Sequence, residues 1–274
     1  MNTSNSRFTL DGLSIGEAEL AAHRHALYHS TGPGYILIRD FLNSDAVAHL
    51  RALWSTVDAS HAHQAFVDKT WIYRNCPNYV NDDGQGNRSF YNFFWNAPLD
   101  EVTFTACLHI QMLRNRIAGR APFTEVFATG AKAASYRVVH SRNATTWIAP
   151  HRDYFDEKNK FDKMRYDLTR LQATLFLAEK GVDYSGTGFK FECNDGTHIV
   201  FGDEFRVRAG DLAIWRYNNL HSVENVESEP GQFGFLRIIH PFETLNDAAP
   251  AAKPASGRSF VLRVVSGARR RLGV

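Results

Sequence analysis

The chain has 274 residues, 44% of them hydrophobic and 22% charged, with a formal net charge of +2. That is enough chain to bury a sizeable core without disulfides or a structural metal, and too little net charge to point to nucleic acid or a membrane surface as partner. The cysteines, Cys76, Cys107 and Cys193, are far apart and form no Cys-x-x-Cys pair, which argues against a zinc site or a disulfide framework.

The N-terminus, Met1 to Arg7, is polar and lacks the apolar core of a signal peptide. No apolar run approaches the ~20 residues needed to span a bilayer. The expectation is a cytoplasmic protein acting on a small molecule, with no nucleic-acid or membrane partner. Ser14 to Ser30 is predicted as a helix, opened by a Ser14/Glu17 capping box and stopped by Gly32-Pro33-Gly34. Tyr35 to Ile38 reads as a strand. A second helix starts at Asn43 or Ser44 and runs to about Trp54. Phe66 to Trp95 is turn-rich and aromatic, with a turn at Asn81-Asp82-Asp83-Gly84. A third helix is predicted over Leu99 to Arg116.

After Thr124 the pattern becomes mainly β. Strands are predicted at Ser135–Val139, Thr145–Ile148, Leu171–Leu177, Gly188–Glu192, Phe205–Val207, Leu212–Tyr217, Ser222–Val226 and Gln232–His240. Turn residues separate them at the short intervals of a sandwich or barrel. Asp156 to Thr169 is charged and reads as a loop or short helix. Asn246 to Gly257 is rich in Ala and Pro, and the terminal Arg269-Arg270-Arg271 is too short to argue for nucleic acid. The expected organisation is one α+β domain over 1–274, mainly β. It has a helical portion over about 1–120, a β-core over about 124–242 and a C-terminal extension over 243–274.

The chemistry-bearing pattern lies in that β-core. His151-Arg152-Asp153 puts an imidazole and a carboxylate two positions apart, and in extended backbone residues i and i+2 share a face. His221 follows the turn Gly210-Asp211 and the apolar run after it. Two imidazoles and one carboxylate leave open positions on one side of an octahedral metal, the arrangement of non-haem iron(II) oxygenases. Arg237 lies on the strand sixteen positions after His221. An arginine fork there suits the distal carboxylate of a 2-oxoglutarate chelated to such an iron.

His-x-Asp, a later His after a Gly-Asp turn and a downstream Arg resemble the iron(II)/2-oxoglutarate dioxygenase superfamily. The opening Gly34 to Leu42, followed by a capped helix ending near Leu53-Trp54, resembles its phytanoyl-CoA dioxygenase-like branch. The resemblance covers roughly residues 30 to 240. It implies a double-stranded β-helix (jelly roll, cupin-like) with flanking N-terminal helices. It also implies iron(II) on His151, Asp153 and His221, 2-oxoglutarate anchored by Arg237, and O₂ as oxidant. Asp153 stands where related halogenases carry a small residue, which favours oxygenation. Many members place a small hydroxyl residue two positions after the arginine, where this chain has Ile239. Thr174 and Tyr136 are therefore the candidates for a second contact to the distal carboxylate. No catalytic residue beyond the metal ligands is implied.

The other histidines read differently. His23 and His25 fall on a predicted helix, where i and i+2 face apart. His61 and His63 lack a strand pattern and a distal partner. His140, His198 and His240 each read as hydrogen-bonding residues. Tyr91, Phe93 and Trp95 could line a substrate pocket or simply pack. Tyr154 to Arg170, next to the ligands, could form a lid or a solvated face. The expected reaction is hydroxylation of an unactivated C–H bond of a small metabolite or natural-product intermediate, with release of succinate and CO₂. The rival readings are a cupin-type metalloenzyme that does not use 2-oxoglutarate and a non-catalytic jelly-roll binding module. No dinucleotide fingerprint, phosphate-binding loop or nucleophile elbow is present.

Overall fold

The computed structural model describes residues 15–57, 67–68, 72–82, 84, 86–127, 129–130, 132–142, 146–153 and 170–246. Among the described residues three helices come early: α1 (Glu17–Tyr28), α2 (Ser44–Thr56) and α3 (Glu101–Ile117). Side chains one residue before each start cap the last two. Asn43 accepts from the Ala46 N–H at 2.8 Å, and Asp100 accepts from the Thr103 N–H at 2.7 Å. α1 begins after Gly16, which offers no side-chain cap; the Ser14/Glu17 box rests on Ser14, which lies outside the described residues. His23 pairs with Glu19 and His25 stacks on His29, so neither is a ligand.

Thirteen strands build two sheets among the described residues. They are β1 (Tyr35–Ile38), β2 (Val67–Asp68), β3 (Tyr79–Asp82), β4 (Asn87–Phe93), β5 (Lys132–Ser141), β6 (Thr146–His151) and β7 (Leu171–Phe176). After these come β8 (Ser185–Glu192), β9 (His198–Val200), β10 (Leu212–Arg216), β11 (His221–Glu227), β12 (Phe235–Ile239) and β13 (Phe242–Thr244). The large sheet runs β1-β10-β7-β12-β5-β4-β3-β2, with β13 also on β5; the small sheet runs β6-β11-β8-β9. The eight strands β5 to β12 thus divide four and four between facing sheets in jelly-roll order. This is the double-stranded β-helix the resemblance implies.

Register settles which side chains face between the sheets, because residues directly opposite one another on neighbouring strands share a face. Phe176 and Trp215 from the large sheet meet Phe189 and Phe191 from the small one, with centroid separations from 5.1 to 6.3 Å, and Phe235 stacks beside Phe176 within the large sheet. The outer face of the large sheet is covered by α2 and α3. Trp54 donates its indole N–H to Thr103 at 2.9 Å, joining the two helices. Buried Arg114 of α3 donates to the carbonyls of Leu171 and His240, which ties it to the start of β7 and the end of β12.

Several expectations shift. The 66–95 region, read as turns, holds the β3–β4 hairpin. Asn81 and Asp82 are paired in it, and the bend sits at Gly84 and Gly86, both at positive φ. Phe205–Val207 forms no strand. The Gly202 N–H bonds the Phe205 carbonyl in a turn, and the small sheet takes His198–Val200 as its edge instead. The portion read as helical also supplies β1, which extends the large sheet at β10. Gly210 has φ +102, and a Cβ there would lie 2.9 Å from the Leu42 carbonyl oxygen.

The Gly-Asp turn is a structural staple. Fully buried Asp211 accepts from Arg39 Nη1 at 2.8 Å and from the N–H groups of Asp40 (3.0 Å) and Arg208 (2.9 Å). It joins the β1–α2 turn to the start of β10. Replacing a buried charged acceptor leaves its donors unpaired, at about 1–3 kcal/mol. Asp211→Ala is therefore expected to lower stability by about 2–3 kcal/mol in urea denaturation; an unchanged midpoint would show that the staple carries no load.

Candidate metal centre

β6 and β11 run antiparallel, and their ladder places His221 directly opposite His151. Directly opposed residues share a face, and the two imidazole centroids lie 4.4 Å apart. Asp153 follows two residues after the end of β6. Its carboxylate oxygens lie 3.8 Å from His151 Nε2 and 3.5 Å from His221 Nε2. One donor atom from each residue falls within 4.8 Å of the others, and this is the only such His/Cys/Asp/Glu group of three or more among the described residues.

Both imidazoles are set for metal binding by the backbone. His151 Nδ1 faces the Ala149 carbonyl at 2.8 Å and His221 Nδ1 faces the Asn219 carbonyl at 3.0 Å. A carbonyl can only accept, so each Nδ1 carries the hydrogen and each Nε2 keeps a lone pair directed at Asp153. Burial holds the His221 imidazole below its usual range, against the opposing pull of Asp153, which favours the neutral ligand form. Gln172 of β7 reaches across from the large sheet and donates to Asp153 Oδ2 at 3.1 Å, while its own Oε1 is held by the Ala173 N–H. This is the outer partner that a ligating carboxylate needs, and it was not read from the sequence. The His151 side chain is 41% exposed and that of His221 8%, so the centre opens to solvent on the His151 side.

Deeper between the sheets lies Arg237. It stands opposite Phe176 and shares the inner face with Gln172 and Thr174. Phe176 is four residues along β7 from Gln172, or ~13 Å at ~3.3 Å per residue. The guanidinium is 2% exposed, lies 4.5 Å over the Phe235 ring, and its Nη1 has no hydrogen-bond partner among the described residues. Burial draws it down to about 10, still cationic at neutral pH. Thr174 sits directly opposite Ile239, so its hydroxyl occupies the inner face beside the position that lacks one. Tyr184, missed in the sequence, stacks at 4.5 Å on Phe235, the ring that Arg237 also lies over. Gly188, at φ +70, leaves the room its ring requires; a Cβ there would lie 3.0 Å from the phenol.

Tyr136 does not join this set. Its register partner Asn92 and its contact with Phe94 put it on the outer face, toward α3. Tyr91 and Phe93 share the inner face of the sheet with Arg137 and Ser135. They belong to a satellite cluster with Cys76, Tyr79 and Trp95, two strands beyond β12. His240 is fully buried on the outer face and His198 faces Glu192, so neither approaches the centre. His61, His63 and the 154–169 part of the lid segment lie outside the described residues. Among the described residues no helix is long and apolar enough to cross a membrane.

No family model matches the sequence, and no curated protein matches it. Solved structures do. A Pseudomonas putida prolyl-4-hydroxylase aligns at 17% identity and TM-score 0.50, over 81% of this chain and 97% of that one. The α-ketoglutarate-dependent epimerase SnoN from nogalamycin biosynthesis aligns at 15% and 0.51, over 89% and 93%. EctD from S. alaskensis, with bound Fe, aligns at 12% and 0.50, over 91% and 85%.

Outer-shell partners of metal ligands are worth about 10- to 100-fold in affinity. Gln172→Leu is therefore expected to weaken Fe(II) binding by about tenfold in anaerobic titration, with the fold unchanged by circular dichroism. Equal affinity would remove Gln172 from that role. The chain has the double-stranded β-helix fold of the iron(II)/2-oxoglutarate oxygenases.

Proposed function

We propose that the protein is an iron(II)- and 2-oxoglutarate-dependent oxygenase that hydroxylates an unactivated C–H bond of a small molecule. The observation that carries this reading is Arg237, a buried guanidinium with an unpartnered Nη1, on the same inner face as the side chain that supports the metal ligands. A buried charge without a partner is costly, and a planar fork at this depth suits the distal carboxylate of a dicarboxylate held at the metal. The residues present fit both groups. His151, Asp153 and His221 would hold iron, and Arg237, with the hydroxyls of Thr174 and Tyr184, would hold the far end of 2-oxoglutarate. SnoN, which shares the fold, has been solved with Fe³⁺, α-ketoglutarate and nogalamycin RO.

When bound, iron and co-substrate supply the oxidising equivalent from O₂, and 2-oxoglutarate leaves as succinate and CO₂. The chain does the rest. The Ala149 and Asn219 carbonyls hold both imidazoles in one tautomer, and Gln172 fixes the carboxylate. The aromatic layer of Phe176, Phe189 and Trp215 keeps water from the inner end of the cavity. Asp153 fills the position that a halide would need, which favours oxygen transfer. A cupin enzyme working without 2-oxoglutarate, or a binding module, has no use for an unpaired arginine behind an open metal centre.

Loss of a charge-assisted contact costs about 1.5–3 kcal/mol, or about 10- to 100-fold. Arg237→Gln is expected to raise the apparent KM for 2-oxoglutarate by about that factor in a succinate-release assay, and Thr174→Val to raise it a few-fold. An unaltered KM in Arg237→Gln would overturn the assignment. His151→Ala should abolish succinate release. Mass analysis of the product separates hydroxylation, a gain of one oxygen, from epimerisation, which leaves the mass unchanged.

A further inference from the structure

The large sheet carries a second cavity on the face turned away from the metal. It has a volume of about 210 Å³ and lies between the C-terminal end of α2 and the outer face of β4 and β5. Arg88, Phe90 and His140 point outward into it. Arg88 stands opposite His140 and Phe90 opposite Val138, the alternate positions to the inward-facing Ser89 and Val139. Trp54, Val57 and Phe90 make one wall apolar, while Arg88 and Arg142 make the other cationic.

The charges do not cancel. Among the described residues that line the cavity, Asp82 is the one carboxylate, and it is taken by Arg88 at 2.6 Å. Arg142 has no carboxylate partner among the described residues; its guanidinium contacts are His140 Nε2 at 3.2 Å and the Ser55 carbonyl at 3.4 Å. The first is not a working hydrogen bond. His140 Nε2 also faces the Phe233 carbonyl at 2.8 Å, which can only accept, so Nε2 carries a hydrogen and offers nothing to Arg142. Burial, with Arg142, Arg88 and Arg51 nearby, lowers His140 to about 4, so its ring is neutral and gives no counter-charge. Among the described residues, one cation is left without a carboxylate partner, beside an apolar wall.

We infer that this cavity is a second ligand site, for a small organic anion with a carboxylate or phosphate head on a short apolar body. Arg142 takes the head through its fork, beside the Arg88–Asp82 ion pair, and the body lies against Trp54, Val57 and Phe90. The site is separate from the proposed co-substrate anchor, since Arg142 and Arg237 lie on opposite sides of the sheet.

Phenyl phosphate, titrated calorimetrically into the iron-free protein, is the probe, with Arg237→Gln as the background that removes anion binding between the sheets. Saturable one-to-one binding is expected in wild type and in Arg237→Gln alike. It should weaken by about tenfold or more in Arg142→Gln, which removes the charge-assisted fork. Ser55→Glu, which brings a carboxylate to the cavity without touching either arginine, should weaken it similarly. Inorganic phosphate should bind more weakly than phenyl phosphate, because it cannot use the apolar wall. Binding that survives both Arg142→Gln and Ser55→Glu, or that vanishes in Arg237→Gln, overturns the proposal. Equal affinity for inorganic phosphate overturns the apolar half of the ligand description. Arg142 is exposed, so its replacement leaves the core intact, and thermal melts of the variants check this.

Discussion

The antiparallel pairing of β6 with β11 is the constraint on which the candidate centre depends. It sets His151 opposite His221 across one ladder, although seventy residues separate them in sequence. A one-residue slip would turn one imidazole to the other face of the small sheet. Register is held by a bulge further along the same strand. Asn225 adopts φ +43, and a Cβ on Gly186 of the neighbouring strand would fall 1.6 Å from the Asn225 carbonyl oxygen. Only glycine allows that approach, so a position remote from the metal helps to fix where the ligands meet. The pair Gly186 and Gly188, which fits no phosphate-binding loop, has this structural use and makes room for Tyr184.

The two sheets divide the labour of the centre. The small sheet supplies both imidazoles; the large one supplies Gln172, Thr174 and Arg237, in successive levels down one inner face. Arg114 ties α3 to the carbonyls at the start of β7 and the end of β12, the two strands that carry those residues. The helices therefore fix the strand ends nearest the metal, and the aromatic residues between the sheets supply the burial that holds the inner layer together. What stays open is the His151 side.

Much of this was legible because it depends on short-range pattern. His-x-Asp reads directly as two side chains on one face, and the alternating or apolar runs after Thr124 mark most of the core strands. The misses share a cause: each depends on which strand pairs with which. Tyr136 and Thr174 look alike as hydroxyl candidates in sequence, but one residue of parity turns Tyr136 toward α3, while Thr174 lies opposite Ile239. Gln172 and Asp153 are nineteen residues apart, and only the facing of the two sheets brings them together. Phe205-Arg206-Val207 alternates like a strand but is spent in a turn. His198–Val200, with no alternation to mark it, becomes the edge because β8 has an unpaired side.

Strand parity also separates Arg237 from Arg142, the two arginines left without a carboxylate among the described residues at these sites. Arg237 is sealed between the sheets, with no carboxylate partner among the described residues, so its charge is costly there. Arg142 is exposed, so solvation covers its charge and no ligand is needed for folding. Its case rests on what surrounds it: a neighbouring arginine already paired, a histidine whose nitrogen is committed to a carbonyl, and an apolar wall that water solvates poorly. A surface arginine without those neighbours would have nothing to hold a ligand's body in place. The outward row Arg88, Phe90 and His140 therefore carries a second recognition surface on β4 and β5, whose alternate residues face the inner layer.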